Sequence, residues 1–290
     1  MVLESLIKSE AAEQRPWKMF FVGLLFASVA IFLSLWIFRD QASLIMVFLT
    51  VVACIPLIYN TLSYEEKKDA RKNVKEVFLL KEHSKALAFF MFLFLGITIA
   101  FSLWYILLPE NLVQTTFNTQ IATIKAINSR VFLGSTINMA GLSRSNIFSQ
   151  ILFNNFKVLF FCIFFSFFYG AGAIFILTWN ASVISAAIGT FFRRNIAKYA
   201  GLMGFAQVAS YFHVFSAGLL RYFIHGVPEI LAYFIGGLAG GIISVAVIRH
   251  DFGTESFKHV LYDSIDLLVL AVLTIVFAAL IEVYVTPIFF

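Results

Sequence analysis

The stretch HGVPE, residues 225–229, sets an imidazole and a carboxyl four residues apart at the head of an apolar, glycine-rich run, ILAYFIGGLAGG. Arg221 lies one helical turn before His225, and Glu282 falls in the last apolar block, ahead of Thr286 and Pro287. An acid, a base and a guanidinium among apolar residues can pair with one another, pass protons or ions, or bind a ligand. Metal chemistry is the poorest match. A zinc peptidase helix needs two histidines bracketing a glutamate, as in H-E-x-x-H, whereas here a single histidine and a single glutamate flank Gly226 and Pro228. With no serine-centred elbow either, the chain is expected to be neither an enzyme nor the holder of a metal or other cofactor.

The elements that would position these residues follow from the same stretch. Gly226 and Pro228 predict a break, with one helix ending near His225 and the next starting near Val227. Glu229 would then sit in a first turn, where a carboxylate is favoured by the helix dipole. A tight hairpin would bring Arg221 and His225 beside it. Asn154 and Asn155 open another apolar block and suit N-capping. Asn155, Arg221, His225, Glu229 and Glu282 are thus expected to gather at one level of the membrane. Further along, Ala232, Gly236, Gly240 and Ser244 recur every fourth residue, with Gly237 and Gly241 beside them. Such small-residue stripes let helices approach closely, within the chain or at a homodimer seam; with many neighbours in its own chain, internal packing is the simpler reading.

Of 290 residues, 61% are hydrophobic and only 13% charged, with 36 phenylalanines. An ordinary soluble domain carries roughly 25% charged residues. The chain is therefore an integral membrane protein, and its apolar blocks of about 20 residues without strand-like alternation predict an all-α polytopic fold. Seven spans are expected, at about 17–38, 42–59, 86–108, 156–179, 200–224, 227–248 and 265–286. Residues 60–85, rich in charge and free of Gly and Pro, read as a helix standing out of the membrane. The polar connection 109–155 is expected to hold some helix near 119–128. The apolar part of 179–198 is about a dozen residues long and reads as a re-entrant or interfacial helix. Cys54 and Cys162 lie in apolar blocks without metal-ligand spacing and are expected to be inert. The mixed polarity of the first sixteen residues predicts no cleaved signal peptide.

Orientation is read from Lys and Arg. Placing the N-terminus in the cytoplasm and the C-terminus outside puts fifteen of the 21 basic residues inside, counting Arg193, Arg194 and Lys198 there. The 109–155 connection then lies outside. The net charge of +5 is too modest to suggest a nucleic-acid partner; membrane lipids and unidentified proteins are the expected partners.

In order along the chain, NNFKVLFF, WNASVISAAIG, HGVPEILAYFIGGLAG and IEVYVTP resemble the stage II sporulation protein M (SpoIIM) family of integral membrane proteins. Asn154 and Asn155, His225, Gly226 and Glu229, and Glu282, Thr286 and Pro287 match its pattern. Asn180-Ala181 stands where the family usually has Asn-Gly. The resemblance implies a five-span core within 86–290, preceded by an added hairpin and charged helix over 1–85. It also implies a protein without catalytic activity of its own, acting through partners and forming a homodimer. The founding member is similar to a scaffold that holds cell-wall hydrolases outside the membrane. A scaffold in the cell membrane is therefore the leading expectation. A transporter or channel lined by His213, Arg221, His225, Glu229 and Glu282 is the alternative.

Overall fold

A helix is the only open-ended element whose backbone satisfies its own hydrogen bonds in lipid, and the apolar blocks of this chain all adopt it. The computed structural model describes residues 15–69, 76–126, 144–169, 172–199, 204–248 and 254–289. Helices α1 (Lys18–Ile37) and α2 (Ala42–Asp69) form a hairpin closed by a short 3-10 turn, Arg39–Gln41. They are followed by α3 (Glu76–Leu107), the short α4 (Glu110–Thr116), a helical stretch over 118–126, then α5 (Arg144–Tyr169) and α6 (Ala173–Ile196). The chain ends with α7 (Phe205–Ile248), α8 (Glu255–Leu280), a π-helical turn Ile281–Val285 and α9 (Thr286–Phe289). Among the described residues seven helices are long and apolar enough to cross a membrane, and no strand occurs.

Seven spans were expected, but the chain distributes them differently. The fourth span starts at Ser145, some ten residues early, because the polar residues at 145–155 still belong to a helix whose apolar part follows. It ends before Gly172, and Ala173–Ile196 is a full span rather than a re-entrant segment. Residues expected at the end of one span thus open the next, which supplies the missing length. The expected spans at 200–224 and 227–248 are one continuous helix of 44 residues.

That helix passes straight through HGVPE. Pro228 removes one N–H from the ladder and leaves the carbonyl of Ile224 without its usual donor, a defect tolerated in membrane helices. At 1.5 Å per residue α7 is about 66 Å long, roughly twice the hydrocarbon thickness. Tyr222–Ile248 forms the span, and the apolar Phe205–Leu220 extends from it. This extension lies on α6 through Phe192, whose ring meets Tyr211 and Phe215, and leaves Phe205 and Phe212 88% and 75% exposed.

The charged segment 60–85 is not a separate helix. Its first part completes α2 to Asp69 and its last part opens α3 at Glu76; residues 70–75 lie outside the described residues. The later part of the 109–155 connection, around Gly134 and Gly141, also lies outside them.

Basic residues move with the corrected spans. The Arg193 guanidinium, near the end of α6, donates to the carbonyls of Ile106 and Leu108 at the end of α3 and pairs with Glu110, the first residue of α4. Arg193, Arg194 and Lys198 therefore share the side of Glu110. Moving these three off the N-terminal side narrows the bias toward a cytoplasmic N-terminus.

One apolar core runs from Met19 to Ile275, across the N-terminal hairpin and the later spans. The hairpin is seated by glycines. A Cβ on Gly23 would lie 2.4 Å from the carbonyl oxygen of Leu93, and one on Gly96 would overlap the carbonyl oxygen of Phe20, so α1 and α3 touch backbone to backbone. At the same end as Arg193, Gln120 donates to the Ser43 carbonyl and to Ser182 Oγ, tying the 118–126 stretch to α2 and α6.

Candidate functional site

The polar residues singled out by the sequence meet where α7, α8 and α5 come together. His225 Nδ1 and Thr286 Oγ1 are 3.3 Å apart. Four residues on along α7, Glu229 interacts electrostatically with Glu282, four residues back along the chain from Thr286. That matched stepping is what antiparallel helices require. The π-helical turn Ile281–Val285 carries Glu282, and Thr286 Oγ1 lies 3.3 Å from the carbonyl of Ile281. When the hydroxyl proton goes to that carbonyl, His225 Nδ1–H is the donor to Thr286. A π-turn inserts one residue per turn and re-aims the side chains it holds, and such turns are frequent at functional sites.

Glu229 takes its hydrogen bond from its own helix. The hydroxyl of Tyr233, one turn on, donates to Oε1 at 2.6 Å, and Tyr233 is fully buried. The expected hairpin does not exist, and Arg221, His225 and Glu229 occupy successive turns of one helix. The side chain of Arg221 lies outside the described residues.

Helices α5 and α7 run parallel through this region. A Cβ on Gly236 would lie 2.5 Å from Leu159 Cδ1, and one on Gly240 would lie 2.7 Å from the carbonyl oxygen of Ile163. One turn back along each helix from Gly236 and Leu159, the same register brings Asn155 level with Ala232, one turn deeper than Glu229. Asn155 is buried, at 4% exposure, and its Nδ2 has no hydrogen-bond partner among the described residues. Asn154, beside it, is exposed. It does not open the helix, since α5 begins eleven residues before Asn155, so neither asparagine is an N-cap. A cavity of about 510 Å³ adjoins the cluster, lined by Ile147 and Ile151 of α5 and by Glu282, Tyr284 and Pro287.

The small residues of α7 are engaged within the chain. Gly236 and Gly240 receive α5, Gly237 faces Ala173 of α6, and Gly241 faces Leu62 of α2. Ala232 is fully buried. Gly226 differs, because a Cβ there would meet nothing within 4 Å. Cys54 and Cys162 are buried free thiols.

One buried polar pair gives no signal in the sequence pattern. His83 Nδ1 of α3 lies 2.7 Å from Glu65 Oε2 of α2, with side chains 2% and 0% exposed. Both residues sit in a charged stretch that reads as solvated, and only the helix register shows that these two turn inward.

An all-α polytopic membrane protein with an internal cluster of two carboxyls, a histidine and a tyrosine, and a buried asparagine on the neighbouring helix, is the class that this fold and site define. The chain belongs to the stage II sporulation protein M family, whose model matches residues 86–287. That match begins within α3, takes in five of the seven spans and includes every residue of the cluster. No curated protein and no solved structure matches the chain.

Proposed function

We propose that this SpoIIM-family protein is a membrane scaffold that positions partner proteins through its polar connection and its exposed helix faces, on the extracytoplasmic side of the cell membrane. The observation that carries this reading is the enclosure of α7 beyond the cluster. From Ala232 to Ile242 every residue is buried, and glycines hold neighbouring helices against it at backbone distance. Side chains packed this closely leave no room for a polar path along that part of α7. A conduit needs polar groups along its whole length. A scaffold needs a rigid core and surfaces to present.

The connection offers a separable test. Its first part packs into the core, with Val113, Phe117 and Gln120 fully buried, so the replacement should spare it. Exchanging residues 127–143 for a Gly/Ser linker of equal length, followed by cross-linking in intact membranes, is expected to remove specific cross-linked partners while the protein still inserts. An unchanged cross-linking pattern would overturn the reading through that segment.

A second reading rests on the Glu229–Glu282 pair, two carboxyls in one partly buried site, which a proton- or ion-coupled transporter would use. Flux measurement separates the two.

A further inference from the structure

We infer that the groove between α6, the 118–126 stretch and α7 binds one molecule of an anionic phospholipid, headgroup in a basic mouth and one acyl chain in an apolar slot. This site is distinct from the carboxyl cluster and does not depend on the scaffold reading.

The mouth is a cavity of about 670 Å³. Its basic wall is Lys125, Arg194 and Lys198, with Asn195 and Thr190 as further polar groups, and no Asp or Glu is among the described residues lining it. The arrangement follows from the α6 sequence. Val183, Ala187, Phe191, Arg194 and Lys198 recur at helical spacing, so one face turns from apolar to basic as the helix leaves the hydrocarbon. Lys125 and Arg194 are exposed, and Lys198 Nζ donates to Asn195 Oδ1 at 3.0 Å, which fixes that amine at the rim.

Ile184 and Tyr222 line this mouth and also a second cavity of about 230 Å³, so the two adjoin. The second is apolar throughout, walled by Phe92 and Leu95 of α3 and by Phe223, Gly226 and Val227 of α7. Of its two hydroxyl-bearing residues, Tyr222 is shared with the mouth and Thr98 donates to the carbonyl of Phe94. A free phosphate would use the mouth alone; an uncharged lipid would gain nothing from three cations. An anionic headgroup joined to an acyl chain is the chemistry that satisfies both halves. Basic residues at a span end commonly reach outward for lipid headgroups in general; here an adjoining apolar slot makes the contact a site.

The test uses the full chain, stripped of lipid in detergent. Affinities are measured for phosphatidylglycerol and for phosphatidylcholine with the same acyl chains, with glycerol phosphate as a headgroup-only competitor. Wild type is expected to prefer phosphatidylglycerol by about tenfold or more, and glycerol phosphate to compete poorly. Lys125→Gln/Arg194→Gln/Lys198→Gln should erase the preference while phosphatidylcholine affinity stays unchanged. Gly226→Leu, filling the slot, should weaken both lipids alike. If the triple variant fails to fold, Arg194→Glu alone must still reduce the preference. Equal binding of the two lipids, a preference that survives the charge changes, or displacement by glycerol phosphate as effective as by lipid would each overturn the proposal.

Discussion

The Tyr233 hydroxyl donates to Glu229 Oε1 at 2.6 Å from one turn deeper in the same helix, so the carboxyl of the HGVPE stretch is held by α7 itself. Tyr233→Phe removes the donor and leaves the ring in place. Losing the partner of a half-buried carboxyl costs about 1–3 kcal/mol. Denaturation in detergent micelles is expected to show a loss in that range, and Glu229→Gln, which keeps an acceptor for the hydroxyl, a smaller one.

Two glycines of α7 should respond with opposite signs. Gly240→Ala puts a Cβ 2.7 Å from the Ile163 carbonyl oxygen, a contact that backbone must yield to; the expected destabilisation is about 1–3 kcal/mol. Gly226→Ala meets open space inside a helix and should stabilise by about 0.5–1 kcal/mol. Thermal melts of the two variants in one detergent compare them directly.

His83→Ala takes the imidazole away from the fully buried Glu65 carboxyl, and Glu65→Ala takes the carboxyl away from the buried imidazole. Removing one member of a buried pair costs about 3–5 kcal/mol. The double variant is expected to cost no more than the worse single one, which a double-mutant cycle reads as strong coupling.

Arg193 serves three neighbours at once, the carbonyls ending α3, the Glu110 carboxylate and the face of Tyr105, 5.6 Å from its guanidinium carbon. Lysine keeps the charge but not the planar fork. Arg193→Lys should lower stability by about 1–2 kcal/mol, whereas Arg194→Lys, at an exposed position, should leave the melt unchanged.

Hydropathy made the helical class and the number of spans legible, and the quoted motifs made the family legible. Boundaries were hidden where polarity and helicity part company. Residues 145–155 are polar yet helical, so α5 looks shorter than it is, and its hidden first turns pushed Ala173–Ile196 into the guise of a re-entrant piece. Pro228 and Gly226 look like a helix end in sequence because their local preferences oppose helix, yet α7 continues through them into a stretch packed on neighbouring helices. The cluster residues were recognisable as polar groups out of place, and the antiparallel register of α7 with the chain end places His225 by Thr286 and Glu229 by Glu282. Tyr233 went unnoticed because an aromatic in an apolar run reads as core, and its hydroxyl matters only once Glu229 is known to lie one turn before it on the same helix. Gly23 and Gly96 are solitary glycines that carry no stripe, so their backbone contact has no sequence signature.

A scaffold, unlike a conduit, carries no proton past the carboxyl cluster. Proton flux into liposomes carrying the purified full chain, driven by an imposed pH gradient and membrane potential, tests it most directly. Flux is expected to be no greater than in protein-free liposomes, for wild type and for Glu229→Gln alike. A protein-dependent flux that Glu229→Gln abolishes would contradict it.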